Sequence, residues 1–215
     1  VLSCMFATES HYPMFVLMVL AAGVAGYEWF KLMPRKFKHV IKPVAWGYGV
    51  LTAALSALAL YFAEVALLLW VASIITWLLS IYWVKTYPEY DGWYNASLHG
   101  IGVVLISAAV TAIFSVWQSS PWWLMYLFLL VWGADSGAYF VGRKFGKKKL
   151  APNVSPNKSV EGLYGGIVTS MLIVTAVALL YLDMTWPELI LFLILSVVTV
   201  FSSVLGLSLI HISDG

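Results

Sequence analysis

Residues 132–166 read WGADSGAYFVGRKFGKKKLAPNVSPNKSVEGLYGG, and this stretch interrupts a chain that is otherwise almost continuously apolar. The 215 residues are 62% hydrophobic and only 10% charged, with a mean hydropathy of +0.90. A soluble protein of this length cannot bury so much apolar surface, so the excess must face lipid. Six of the twelve basic residues and two of the ten acidic residues fall within the quoted stretch. We therefore expect the chemistry of the protein to be located here.

On both sides of this stretch, apolar segments are long enough to cross roughly 30 Å of hydrocarbon, which takes about 20 helical residues. Proline residues and clusters of Trp and Tyr lie near their ends, as is typical of membrane-spanning helices at the interface. The predicted fold class is all-α, a polytopic integral membrane helical bundle with about seven transmembrane helices. The predicted spans are Met14–Met33, Val44–Phe62, Val65–Val84, Leu98–Trp117, Trp122–Val141, Leu163–Leu182 and Glu188–Gly206. Only Glu64 marks the boundary between the second and third spans.

The basic residues predict the orientation in the membrane. With seven alternating spans, all twelve Lys and Arg residues fall on one side. The charged residues of the opposite loops are all acidic. Because cytoplasmic loops are enriched in Lys and Arg, the basic side is predicted to be cytoplasmic.

Composition excludes several other classes of protein. The net charge of +2 is too small to indicate a nucleic-acid partner. The single cysteine, Cys4, excludes an internal disulfide framework, and the four histidines lack metal-ligand spacing. The chain does not begin with Met and shows no signal peptide, so we interpret Val1 as lying inside a longer gene product.

Asp135 stands out because it lies inside the fifth predicted span. If that span ends near Val141, the carboxylate lies about six residues, or roughly 9 Å, from the cytoplasmic end. An aspartate in a membrane span costs on the order of 3 kcal/mol on insertion scales, so it should face a partner or a wet cavity. The small residues around it would admit another helix, or a phosphate with its metal. Asp135 is therefore either a polar packing contact or a ligand, and we favour the ligand or metal role.

The segment Ser155-Pro156-Asn157-Lys158-Ser159 has the pattern of a helix start. Ser155 would cap the helix, and Pro156 suits the first helical position. The next amides would then point outward and, with Lys158, form a site for a phosphate. Capping alone is the alternative interpretation. The spacing of a Walker A loop is absent.

The remaining charged residues each allow two interpretations. The Lys147-Lys148-Lys149 cluster, with Arg143 and Lys144, either fixes the topology or attracts an anionic head group or nucleotide. Glu161 either completes local capping or contacts a metal. Glu28, near the inner end of the first span, is expected to pack or to extend toward the interface.

Two motifs in this stretch carry a resemblance to a known family. The cores Trp-Gly-x-Asp-x-x-Ala-Tyr (132–139) and Ser-Pro-x-Lys-Ser-x-Glu-Gly (155–162) resemble those of the bacterial phosphatidate cytidylyltransferases, also called CDP-diacylglycerol synthases. Their separation also matches. Weaker similarity covers Tyr27-Glu28-Trp29 and Ser203–Gly206.

The resemblance implies transfer of CMP from CTP to phosphatidate with release of pyrophosphate, in the presence of Mg²⁺. It also implies a multi-pass protein of the bacterial inner membrane whose active face is cytoplasmic. The implied partners are CTP, phosphatidate and the lipid bilayer, without nucleic acid, and a homodimer is left open. It further implies that Lys158 and Ser155 bind phosphate and that Asp135 has a polar role in the same cavity. We predict Asp135 and Lys158 as catalytic residues and Asp135 and Glu161 as metal ligands. The predicted substrate-binding residues are Ser155, Asn157, Ser159, Lys149, Lys148 and Arg143.

The chain departs from the family pattern at its end. The family places an Asp after the Leu-Gly that matches Leu205-Gly206, whereas Leu207 stands here. The family's main metal-binding carboxylates follow further on, and residues 208–215 match nothing in it. We therefore expect residues 1–206 to form a single membrane-embedded domain, incomplete at both ends, and residues 207–215 to be a non-native tail. On this basis the 215-residue chain is expected to be inactive.

Two other functions are possible alternatives from the sequence. A small transporter or channel subunit would use Asp135 as an ion or proton site. Such a protein should carry polar residues in several spans. Here Glu28 and Asp135 are the only charged residues that lie inside a predicted span and away from its ends. Another lipid-linked phosphotransferase is the second alternative, but the Asp-Gly-x2-Ala-Arg spacing of the CDP-alcohol transferases is absent.

Overall fold

A computed structural model of the chain describes residues 10–32, 41–86, 96–151, 155–181 and 185–212. Over these ranges it contains seven helices and one short hairpin. In chain order these elements are α1 Tyr12–Leu32, α2 Ile41–Tyr61, α3 Ala63–Thr86, α4 Ala96–Ser119, α5 Pro121–Phe145, β1 Lys149–Ala151, β2 Ser155–Ser159, α6 Val160–Tyr181 and α7 Trp186–Ile212. The predicted helical membrane bundle is confirmed. Cys4, Arg35, Lys36, Lys38 and residues 213–215 lie outside the described ranges.

The helices have the length and composition of membrane spans. Five segments meet both requirements over the described residues: Tyr12–Lys31, Lys42–Tyr61, His99–Ser119, Pro121–Phe145 and Val160–Leu179. Two shorter apolar stretches, Ala63–Leu79 and Trp186–Thr199, lie within α3 and α7. Large apolar side chains are exposed along these helices, for example Leu68 at 70% and Leu172 at 67%. Surfaces of this kind suit a lipid environment, because lipid replaces water as the solvent of the helix face.

Residues at the helix ends determine where the chain turns. Phe62 is the non-helical residue between α2 and α3, and its carbonyl accepts hydrogen bonds from the amides of Val65 and Ala66. Glu64 lies in the first turn of α3, where a negative charge is favourable. Ser120 precedes Pro121, the first residue of α5, and its side chain accepts a hydrogen bond from the amide of Trp122. The predicted break between the second and third spans is therefore present, but it lies at Phe62 and Glu64 is already helical.

The chain divides into two compact units, Val1–Leu124 and Met125–Gly215. In the first unit, α2 and α4 are joined by buried hydroxyl groups. Ser56 donates a hydrogen bond to the Thr52 carbonyl and contacts the Ser107 hydroxyl at 3.0 Å. Trp70 donates its indole N–H to Thr111 at 3.0 Å. Such contacts stabilise a membrane bundle because they satisfy polar groups without water.

The second unit contains most of α5, the hairpin, α6 and α7. Leu130, Ala134 and Val174 form its buried core. At one side of this core, Tyr126 of α5 lies 2.9 Å from the Ser196 hydroxyl of α7 and stacks on Phe192. The predicted chemistry-bearing stretch lies entirely within this unit.

Candidate functional site

The connection between α5 and α6 begins and ends at nearly the same place. Helix α5 ends in Arg143, Lys144 and Phe145. Gly162, in the first turn of α6, lies so close to α5 that a Cβ atom there would be 2.9 Å from the Ala138 carbonyl oxygen and 3.2 Å from the Cα of Gly142. Because the two helix backbones approach this closely, the intervening residues must form a compact loop at one end of the helix pair.

The loop is a two-stranded antiparallel hairpin. Strand β1 pairs with β2 in the register Lys149 with Ser159 and Ala151 with Ser155. The amide of Val160 donates a hydrogen bond to the Lys148 carbonyl at 2.9 Å, which extends the pairing to the start of α6. The hairpin therefore leads directly into α6.

The predicted helix start at Ser155-Pro156 is wrong. Residues Ser155–Ser159 form β2, and α6 begins at Val160. A Ser-Pro pair favours a helix start locally, but an edge strand also tolerates proline, and the pairing with β1 decides between them. Lys158 thus lies in the strand, two residues before the helix. Ser155, Asn157 and Lys158 are placed by the strand backbone, and their substrate roles stay predictions.

Ser159, rather than the predicted Ser155, caps α6. The amide of Gly162 donates a hydrogen bond to the Ser159 hydroxyl oxygen at 3.1 Å. This is the contact of an N-cap residue with the third residue of its helix. Gly146 also packs here, since a Cβ atom at position 146 would lie 2.7 Å from that hydroxyl.

Replacing Ser159 with alanine should therefore lower the free energy of unfolding by about 1 kcal/mol, as expected for loss of an N-cap. Ser155→Ala is the matched control, because Ser155 lies at the far end of β2, four residues before Ser159. Denaturant unfolding in detergent, followed by circular dichroism, measures both. A larger loss from Ser155→Ala than from Ser159→Ala would contradict this assignment of the cap.

Glu161 connects α6 to the basic loop. One carboxylate oxygen, Oε2, accepts the amide N–H groups of Lys147 at 3.0 Å and Lys148 at 3.2 Å. The other oxygen, Oε1, lies 3.3 Å from the Lys148 amide. The two roles predicted for Glu161 were local capping and metal contact, whereas these hydrogen bonds join it to the preceding loop. Its role as a metal ligand stays a prediction.

The basic side chains collect at this end of α5. Lys147, Lys148 and Lys149 are exposed, and each follows the last turn of the helix. Arg143 donates a hydrogen bond to the Tyr139 hydroxyl at 3.0 Å. The structure therefore brings the predicted basic residues together around the hairpin. Such a surface attracts anionic head groups and nucleotide phosphates.

Asp135 lies elsewhere along α5. It is exposed and precedes the end of the helix at Phe145 by roughly 15 Å of helical rise. Its small neighbours serve helix packing, since a Cβ atom at Gly137 would lie 2.2 Å from the Thr169 hydroxyl and one at Gly133 would lie 2.2 Å from Ile173. Helix α6, rather than a phosphate, therefore occupies the space beside these glycines.

Asp135 and Glu161 are the two carboxylates predicted to bind a metal. Within the described ranges, no group of three or more His, Cys, Asp or Glu side chains is close enough to hold a metal ion. Mg²⁺ is commonly bound by one or two carboxylates together with substrate phosphates and waters. The carboxylate of Glu161 already accepts two amides, and a metal role for Asp135 stays a prediction.

One contact of the site was missed from the sequence, and a second feature was considered only as one of two alternatives. The partners of Glu161 lie 13 and 14 residues earlier, and no local pattern marks such a contact. The close approach of α5 and α6 had a visible signal, because small residues recur at a spacing of four on both helices. Ala134, Ala138 and Gly142 form this series on α5, and Gly162 and Gly166 form it on α6.

Taken together, these features define a multi-pass helical membrane protein in which a basic hairpin joins two closely packed spans. The chain belongs to the Cytidylyltransferase family, which it matches over residues 1–207. The family predicted from the two motifs is thereby confirmed.

Individual relatives agree with this assignment. The chain is 32% identical to the phosphatidate cytidylyltransferase of Pseudomonas aeruginosa over 162 residues, which are 73% of this chain and 57% of the relative. It is 51% identical to that of Haemophilus influenzae over 39% of this chain and 30% of the relative. The Bacillus subtilis enzyme of the same name is 42% identical over 39% of this chain and 29% of the relative. The matched region thus spans little more than half of the first relative and less than a third of the other two.

Proposed function

We propose that the complete protein transfers CMP from CTP to phosphatidate, forming CDP-diacylglycerol and releasing pyrophosphate. In this reaction a phosphate oxygen of phosphatidate attacks the α-phosphorus of CTP, and the bond from that phosphorus to the pyrophosphate oxygen breaks. The observation that carries the proposal is the group of exposed basic residues, Arg143, Lys144 and Lys147–Lys149, where α5 leads into the hairpin. Both substrates are anionic, and one of them is held in the bilayer. The names of the relatives point to the same reaction.

The proposed roles follow from the position of each residue. Lys158 and Ser155, on β2, would bind phosphate, with Asn157 beside them. The exposed cations of Arg143, Lys148 and Lys149 would neutralise the remaining negative charge of the substrates. Phosphoryl-type transfer needs little covalent help from the protein, so positioning and charge neutralisation supply most of the rate. Ser159 would contribute through the cap that fixes the strand to α6.

Mg²⁺ is proposed as the cofactor, with Asp135 as the protein ligand that this part of the chain supplies. When bound, the metal would offset the negative charge of the substrate phosphates. All the groups named here belong to one chain, so the proposed chemistry does not require the homodimer that the sequence left open.

The test uses the complete protein, including the residues that follow the aligned part in the relatives. Purified protein in mixed micelles with CTP, phosphatidate and Mg²⁺ should form CDP-diacylglycerol and pyrophosphate in equal amounts. Diacylglycerol in place of phosphatidate, and ATP in place of CTP, should give little product. Pyrophosphate release that does not depend on phosphatidate would contradict the proposal.

We further propose that the hairpin faces the cytoplasm from the bacterial inner membrane. All twelve basic residues would then lie on the cytoplasmic side. In a Cys4→Ser background, cysteines at Gln118 or Thr185 should react with an impermeant maleimide from outside intact spheroplasts. A cysteine at Lys147 should react only after the membrane is opened. Reversed accessibility would contradict the orientation.

The transporter alternative is not favoured. The chain belongs to the Cytidylyltransferase family. In the first unit, the buried Ser and Thr hydroxyls of α2 and α4 hydrogen-bond to helix carbonyls and to one another. These contacts account for the polar residues as packing groups.

A further inference from the structure

Glu161 differs from an ordinary helix-capping glutamate, and α7 provides the comparison. Glu188, in the first turn of α7, accepts the amide and the hydroxyl of Thr185, both at 2.8 Å. That contact spans three residues and closes a local capping box. Glu161, in the first turn of α6, instead accepts amides 13 and 14 residues away. Its carboxylate therefore stabilises the loop before the hairpin as well as the helix that carries it.

The contacts of Glu161 close the base of the hairpin. Lys147 and Lys148 donate their amides to the carboxylate, and the Lys148 carbonyl accepts the amide of Val160 next to it. On the preceding side, the Gly146 amide donates to the Gly142 carbonyl at 2.9 Å and so ties the loop to α5. Strand β1 begins at Lys149, immediately after these bonds. The placement of β1, and hence of its partner β2, depends on them.

We propose that Glu161 is a positioning residue that holds the basic loop and the hairpin against the start of α6. This inference rests on the proposed function, because the hairpin carries the residues assigned to phosphate. Glu161 would act through Lys148, Lys149 and Lys158, without contacting the substrate itself. This role is distinct from the local capping and the metal contact that the sequence left open, and a metal ligand responds differently to the same substitutions.

The hydrogen-bond geometry identifies the informative substitutions. A single oxygen, Oε2, accepts both the Lys147 and the Lys148 amides. The side-chain carbonyl of glutamine can provide such an acceptor at the same length, but it is neutral and a poor ligand for Mg²⁺. Alanine at position 161 removes the acceptor. Aspartate keeps a carboxylate on a side chain that is shorter by one methylene group. Glu161→Gln therefore separates holding the loop from binding the metal.

The first measurement is independent of catalysis. Hydrogen–deuterium exchange of the purified protein should show the Lys147 and Lys148 amides exchanging about 10-fold faster in Glu161→Ala, because each has lost its acceptor. Peptides covering β1 and β2 should also exchange faster, whereas Glu161→Gln should stay close to the wild type. Unchanged exchange in Glu161→Ala would overturn the structural part of the proposal whatever reaction the protein catalyses.

The second measurement uses the complete protein and the cytidylyltransferase assay. Glu161→Ala should lower kcat/KM for CTP by about 10- to 100-fold, because a displacement of roughly 1 Å near a reacting group has an effect of that size. Glu161→Gln should recover activity to within about threefold of the wild type, with an unchanged Mg²⁺ requirement. If Glu161→Gln is as defective as Glu161→Ala, or needs much more Mg²⁺, Glu161 is a metal ligand and the proposal is overturned.

Glu188→Ala is the matched control. It removes another first-turn glutamate that accepts a backbone amide, but at the start of α7. It should leave kcat/KM and hydrogen exchange in the hairpin unchanged. An equal loss of activity in Glu188→Ala and Glu161→Ala would mean that loss of any helix cap has this effect, and would overturn a specific positioning role. If no variant, nor the wild type, makes CDP-diacylglycerol, the proposed function fails while the exchange result still stands.

Discussion

Alanine at position 137 is expected to destabilise the protein by about 3 kcal/mol or more, at the upper end of the cost of overpacking. A Cβ atom there would lie 2.2 Å from the Thr169 hydroxyl, 2.7 Å from Thr169 Cβ and 2.8 Å from the Gly165 carbonyl oxygen. The last contact is with backbone, so a change of side-chain rotamer cannot relieve it. Helices α5 and α6 would have to separate, and the base of the hairpin would separate with them.

The measurement is thermal or denaturant unfolding of the Gly137→Ala variant in detergent, against two helical controls. Gly47 and Gly100 have nothing within 4 Å of an added Cβ atom. Alanine at either position should be neutral, or stabilising by up to about 1 kcal/mol, because alanine favours a helix more than glycine does. If Gly137→Ala is as harmless as these controls, the close packing of α5 and α6 is not present in the protein.

Lys158→Ala is expected to lower kcat/KM of the complete enzyme by about 30- to 1000-fold, or roughly 2–4 kcal/mol of transition-state stabilisation. Lys158 lies two residues before the N-terminus of α6. A phosphate there would gain about 0.3–1 kcal/mol from the helix dipole and about 1.5–3 kcal/mol from a charge-assisted hydrogen bond. Lys158→Arg should recover only part of the activity, because a bulky planar group does not replace a compact charge.

The comparison that decides this prediction is Lys148→Ala at matched expression. Lys148 is exposed and has basic neighbours on both sides, so the local potential persists without it. Its side-chain charge can also be removed while its backbone amide still donates to Glu161. Its loss of activity should therefore be much smaller. If both variants lose activity equally, or neither does, Lys158 is only one member of a basic surface.

The amino-acid sequence alone determined the class of the protein and the order of its helices. Each span is specified by local sequence. Its signals are a run of about 20 apolar residues and the Pro, Trp and Tyr residues at the ends of that run, and all of them lie within one helix. The weakest boundary was predicted at Glu64, and the break lies close to it, at Phe62 directly before α3. The two linked motifs were likewise sufficient to identify the family.

Only the tertiary structure decided how the residues of the loop are used. Ser155-Pro156 suits a helix start and an edge strand alike, and pairing with β1 selected the strand, so that Ser159 became the cap. The glycines beside Asp135 could have admitted a phosphate or a helix, and α6 fills that space. Glu161 meets the Lys147 and Lys148 amides across 14 and 13 residues. The physical reason is common to all three cases: the partners are distant in sequence and come together only when α5 and α6 pack.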